Sequence, residues 1–236
     1  MDQDKVKLFF NNSEYLKNSS DRIAIRSMVV QDFLGDTDNL NILDIGCGDG
    51  SLSLPMLKAS NRLTLIDLSD AMIRKVKERI PENLASNVTL INDSFEAVDD
   101  NVKFDVVLCV GVIAHVPDVA TLLKKIDTVL KPGGRLIVET TPNPYPIGKL
   151  FFPYYFLRNL IFKDAPKYSK NRMKIKDLLA QTDIIGLKKL RAVRYSFPLP
   201  GMSHWPQSLK FRYTLMTLTN PLLSRIGSEH IFLLKR

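Results

Sequence analysis

LNILDIGCGDGSLSLPML, residues 40–57, is the stretch on which the reading of this chain turns. An apolar, β-branched run ends at Asp44. Glycines follow at 46, 48 and 50, and then a run that looks helical. A turn that only packs a strand against the next element does not need three alternate glycines. Glycine permits a tight turn and removes side chains where a ligand must approach the backbone. In an open parallel sheet, ligands bind beyond the carboxyl ends of the strands, which is where this run delivers the chain.

The flanking sequence supplies such a sheet. Apolar runs recur at 41–45, 62–68, 87–93, 104–111 and 134–141. Helical patterns separate them: SLSLPMLKA, SDAMIRKVKERI and VATLLKKIDTVL. In the last, Val119, Leu122, Leu123, Ile126, Val129 and Leu130 share a face. Ser69 and Asp118 are placed as N-caps, and Pro132-Gly133-Gly134 ends the third helix. Strands alternating with helices predict an α/β fold with a doubly wound, mostly parallel seven-stranded sheet. Ahead of it, DRIAIRSMVVQDFL predicts a helix packing on the sheet through Ile23, Val30, Phe33 and Leu34. Beyond it, residues 174–197 read as a helix, a stop at Gly186 and a strand. HIFLLKR reads as a final strand, antiparallel to that one, with 198–225 inserted between them.

The 236 residues suit one domain: a helical cap over 1–40, a core over 41–141, and an acceptor-side insertion with the last strands over 142–236. No apolar run reaches membrane-spanning length, and the N-terminus lacks a signal-peptide pattern. Cys47 and Cys109 sit in apolar surroundings and read as buried free thiols, which fits a cytoplasmic setting. The net charge of +8 is unevenly spread. Residues 1–140 carry 16 Lys/Arg and 21 Asp/Glu, whereas 141–236 carry 17 and 4. A basic C-terminal third suggests an anionic partner: a lipid surface, a substrate or a nucleic acid.

The ligand class follows from the loop. A phosphate loop needs GK[ST], which is absent, and a dinucleotide fingerprint needs glycine where Ser51 stands. The spacing is G-x-G-x-G with Asp44 before it. A carboxylate there would repel a pyrophosphate but suits an ammonium. Asp67, ending the second strand, is placed to accept two ribose hydroxyls. Asp93-Ser94-Phe95, ending the third, offers a carboxylate to an exocyclic amine and a ring beside a base.

These residues resemble the class I S-adenosylmethionine-dependent methyltransferases over about residues 15–140. LDIGCGDG is similar to their first motif, Asp67 to the ribose-binding acid, NDSFE to the adenine motif, and LKPGGRLIVE to the run into the fifth strand. The resemblance implies S-adenosyl-L-methionine as cofactor. It places Asp44, Gly46, Cys47, Gly48, Gly50, Asp67, Leu68, Met72, Asp93, Ser94, Phe95 and Val110 around it. A basic residue and an aromatic near the N-terminus would hold the methionine end: Arg22, with Arg26 as rival, and Tyr15. Asp49 reads as a helix cap, and Met72 suits core packing equally well.

Within the superfamily the chain looks most like the ubiquinone-biosynthesis O-methyltransferase group. IAHVPDV (113–119) is similar to that group's LEHVPDP, with Ala114 in place of its Glu. Residues 143–187 are similar in layout to its membrane-contacting insertion. His115 is a candidate base, or a residue that orders the loop. His204, beside Trp205, is a candidate over the acceptor pocket, and His230 reads as packing. Residues 147–162 hold 11 large apolar or aromatic side chains, with Lys149, Arg158 and Lys163 among or beside them. They read as a lid over the acceptor, or as a surface that docks on anionic lipid across 147–163.

The expected activity is methyl transfer to a small apolar or aromatic acceptor, on oxygen. The alternatives are transfer to nitrogen or carbon, a nucleic-acid methyltransferase, and a non-catalytic cofactor-binding protein. The absence of an Asn-Pro-Pro-Tyr motif after the fourth strand weighs against nucleic acid. No metal is expected, and the oligomeric state is left open.

Overall fold

The computed structural model describes residues 3–11, 16, 19–141, 151–161, 171, 173–197 and 199–236. Tyr15, Lys149, Lys163 and most of 142–170 lie outside them.

Seven strands form one sheet in the order β3-β2-β1-β4-β5-β7-β6. They are β1 Asn41–Ile45, β2 Arg62–Ile66, β3 Val88–Ile91, β4 Phe104–Cys109, β5 Leu130–Thr140, β6 Lys188–Tyr195 and β7 Glu229–Lys235. The first five pair in parallel, while β7 runs antiparallel to both β5 and β6. The doubly wound sheet and the late antiparallel pair are as expected. Successive residues of a strand face opposite sides, so two apolar layers result. Ile42, Leu63, Val106, Ile137 and Ile231 face one layer, and Leu43, Val107, Leu136, Val138 and Phe232 the other.

Helix α1 spans Gln3–Asn11 and α2 Ser20–Leu34. α2 covers the first layer with Ile25, Val29, Val30, Phe33 and Leu34. Ile23 is only half-buried, and Ile25 takes the place expected for it. α3 (Asp70–Arg79) adds Val76 to the same layer. α4 (Val119–Val129) buries its predicted face in the other layer, beside Leu178 of α6 (Ile175–Ile184). In chain order α5 (Phe152–Ile161) comes between those two helices, and α7 (Gln207–Thr219) and α8 (Pro221–Ser224) occupy the insertion between β6 and β7. Ser69 caps α3, accepting from the Met72 amide at 3.2 Å, and Asp118 caps α4 through the Ala120 and Thr121 amides.

Two expectations fail locally. The run after the glycines forms no α-helix, only a 3₁₀ turn at Leu54–Met56. Pro55 removes an amide donor and restricts Leu54, so the turn does not propagate. β5 begins at Leu130, before Pro132-Gly133-Gly134. Leu130 pairs with Phe104 and Arg135 with Val106, so the Pro-Gly-Gly stretch bulges out of the ladder.

A buried ion pair ties the layers at the sheet's carboxyl edge. Arg26 Nε of α2 donates to Glu139 Oε1 on β5 at 2.9 Å, its Nη2 forms an ion pair with Oε2 at 2.7 Å, and the Tyr195 hydroxyl donates to Oε1 at 2.7 Å. Tyr195→Phe leaves a buried carboxylate one donor short. It should destabilise the protein by about 1–2 kcal/mol in urea titration, without changing the slope.

Candidate active site

The glycine loop leaves β1 at the sheet's carboxyl edge. Gly46 has φ +66°, and a Cβ there would meet Val112 Cγ2 at 2.8 Å. Gly50 has φ +75°, and a Cβ there would lie 2.9 Å from Leu54. Side chains are thus excluded by backbone strain and by packing against the loop that follows β4.

Asp67 organises this turn. Its Oδ2 accepts from the Gly48 amide at 2.9 Å and its Oδ1 from the Ser69 amide at 2.8 Å. Burial raises its pKa, and these two bonds oppose the rise. Asp44 lies deeper, 2 % exposed, and its Oδ2 has no hydrogen-bond partner among the described residues. Burial pushes its pKa up to about 7, opposed by the facing Ser53 and reinforced by the charges of Asp67 and Asp49. An orphaned carboxylate oxygen beneath a glycine turn fits a cationic group above that turn.

A cavity of about 380 Å³ opens over this edge. That is within the roughly 300–1,000 Å³ of small-molecule sites. Gly46, Asp67, Leu68, Asp93, Ser94, Phe95, Val110 and His115 line it, so eight predicted residues meet at one place. Its lining carboxylates, Asp67, Asp93, Glu96 and Asp118, outweigh Lys7, which suits a cation. Phe95 is only 8 % exposed and Lys125 Nζ lies 5.5 Å over its ring, so little of the ring is offered to a ligand. His115 follows β4 on a 3₁₀ turn, its ring edge-on to Phe10 at 5.1 Å. Asn171 steadies that turn, donating from its amide to the Ala114 carbonyl at 2.9 Å and from its side chain to the Val116 carbonyl.

The other predicted residues lie elsewhere. Asp44, Cys47, Gly48 and Gly50 stand behind the lining, in and under the turn. Met72 is a core residue, 1 % exposed. Arg22 is half-buried, donates to Ser19 Oγ at 2.9 Å and does not line the cavity. Its rival Arg26 stands closer, with its guanidinium 3.5 Å from where a Gly111 Cβ would be. His204 is exposed on a turn before α7, away from the lining residues. His230 is buried against Phe232, and burial together with the charge of Arg194 lowers its pKa to about 4. Val6, Lys7 and Phe10 of α1 line the cavity without having been foreseen, and Asn11 accepts from the Ser69 hydroxyl at 2.7 Å. The spacing of Val6, Phe9 and Phe10 was the available signal.

Comparison with known proteins agrees with this geometry. Residues 43–136 match the family described as "Methyltransferase domain". That match spans the glycine turn, Asp67, Asp93 and His115. The match covers less than half of the chain, and over that stretch the chain is similar to methyltransferase domains. The chain is similar to the ubiquinone biosynthesis O-methyltransferase of Rickettsia conorii, 28 % identical over 73 % of this chain and 59 % of that protein. It is also similar to the demethylmenaquinone methyltransferase of Lactococcus lactis, 33 % identical over 52 % of this chain and 51 % of that one. The chain thus spans between half and three fifths of the length of these two relatives. Magnesium protoporphyrin IX methyltransferase from Synechocystis, solved with bound SAM, shares the fold at 18 % identity and TM-score 0.65, over 100 % of this chain and 98 % of that one.

Asp44 gives the domain a pH signature. Its folded pKa lies above the ordinary 3.8, so the folded state holds the extra proton between the two values. Its contribution to stability is full below about pH 4 and is lost as pH rises through about 7. The melting temperature of Asp44→Asn should match wild type at or below about pH 4. It should exceed wild type at pH 8, as read by thermal scans across that range.

Proposed function

We propose that this protein transfers a methyl group from S-adenosylmethionine to an oxygen of a small apolar or aromatic acceptor. The observation that carries the reading is the acidic cavity over the carboxyl ends of β1 to β4, with His115 on its wall. S-adenosylmethionine supplies a methyl group already activated on a sulfonium. What the chain adds is alignment, exclusion of water and removal of the acceptor's proton. Asp67 and Asp93 hold the nucleoside, the first through its ribose hydroxyls. The apolar surfaces of Val6, Phe10 and Val112 keep the cavity dry. His115, on the cavity wall, would take the acceptor's proton as its oxygen accepts the methyl group. The name of the Rickettsia relative, an O-methyltransferase, supports oxygen over nitrogen or carbon.

Incubation of the protein with methyl-labelled S-adenosylmethionine and a cell extract, followed by fractionation, tests the acceptor class. Label is expected in the organic fraction, and label in nucleic acid would overturn the reading. Asp67→Ala should weaken S-adenosylhomocysteine binding at least tenfold by calorimetry. Once the acceptor is known, His115→Ala should lower kcat by about 100-fold and abolish the acid limb of the pH profile.

A second reading concerns access to such an acceptor. α5 exposes Phe152, Tyr154, Phe156 and Leu157, each at least 40 %. Among the described residues no helix is long and apolar enough to cross a membrane. An apolar, aromatic helix in a basic segment suits shallow docking on anionic lipid. Replacing Phe156 and Leu157 by serine, or Lys149, Arg158 and Lys163 by glutamine, should reduce binding to vesicles containing phosphatidylserine. Only the wild-type electrostatic part should fall with salt. Absence of wild-type binding would refute the docking.

A further inference from the structure

The chain between β1 and β2 has no helix to brace it, so the outer half of the glycine turn must be held from elsewhere. Arg79, the last residue of α3, does this. Its Nη1 donates to the Asp49 carbonyl at 2.6 Å, to Asp49 Oδ2 at 2.8 Å and to Ser51 Oγ at 3.0 Å. Asp49 Oδ1 accepts from the Ser51 amide at 3.2 Å, closing the turn on itself. The other end of α3 grips the same turn, because the Asp67 carboxylate is shared by the Gly48 and Ser69 amides. One helix therefore holds both flanks of the loop.

The sheet order says which part of a ligand that loop would meet. β3 and β2 lie on one side of β1, and β4 on the other. A nucleoside held by Asp67 and Asp93 lies over β2 and β3, so its amino acid tail runs toward β1 and the glycines. We propose that Arg79 is a positioning residue for the amino acid end of the cofactor, shaping the turn from Cys47 to Ser51 and balancing the Asp49 carboxylate beside it. The proposal rests on the S-adenosylmethionine reading given above. Arg79 and Asp49 are 45 % and 22 % exposed, so their pair adds little to stability by itself. The role is therefore separable from folding.

Two ligands isolate it. S-adenosylhomocysteine carries the amino acid group, and 5′-methylthioadenosine has the same nucleoside and sulfur without it. Arg79→Met should weaken S-adenosylhomocysteine about tenfold in calorimetry while 5′-methylthioadenosine changes less than about twofold. Arg79→Lys, which retains a charged donor, should recover most of the loss. If Arg79→Met fails to fold, Arg79→Gln replaces it, with the same selective loss expected. Equal weakening of both ligands, or of neither, would overturn the proposal. Wild-type protein that binds neither ligand would instead overturn the cofactor reading, and the proposal with it.

Discussion

The arrangement of this site depends on one carboxylate in an unfavourable place. Asp67 follows β2, half-buried on the cavity wall, and two backbone amides offset the water its carboxylate has lost. One amide belongs to the glycine turn and the other to the cap of α3. Neutralising Asp67 would therefore do more than remove a ligand contact. It would release Gly48 from Ser69, and with it the geometry relating β1, β2 and α3.

Around that constraint, the acidic groups are graded by depth. Asp44 is sealed beneath the turn and burial favours its neutral form. Asp67 is half-buried and bonded, and Asp93 is exposed at the rim. A cationic ligand settling over the turn would favour the ionised form of Asp44 and so offset the effect of its burial. On the opposite flank the buried Arg26–Glu139 pair fixes α2 against β5, holding the wall near Gly111 in register with the turn.

Much of this was legible in the sequence, for physical reasons. Strands between helices in a covered sheet are continuous apolar runs, so β1 to β4 stand out, and glycines at alternate positions after a strand have few structural explanations. The failures share a different origin. Arg22 and Arg26 lie one helical turn apart on the same face, and sequence alone does not say which reaches the sheet. The hint was Glu139, an isolated acid inside an apolar strand that needs a buried partner. The helix expected through SLSLPML lost to Pro55, because a short apolar run is too weak a helix former to absorb a missing amide donor. The contribution of α1 to the cavity is tertiary: its apolar spacing showed that it packs, not where.

Among the described residues, strand β6 closes the sheet with one side unpaired, and such a border is a template for another chain. Here Lys188, Lys189, Arg191 and Arg194 line it, with a register shift at Leu190. Two copies approaching border to border would bring like charges together across a broken ladder. Lys188 and Arg191 are paired with Asp183 and Asp32, so what would oppose such an approach is the charge of Lys189 and Arg194 together with the broken ladder. The electrostatic part of that protection weakens as ionic strength shortens the reach of each charge.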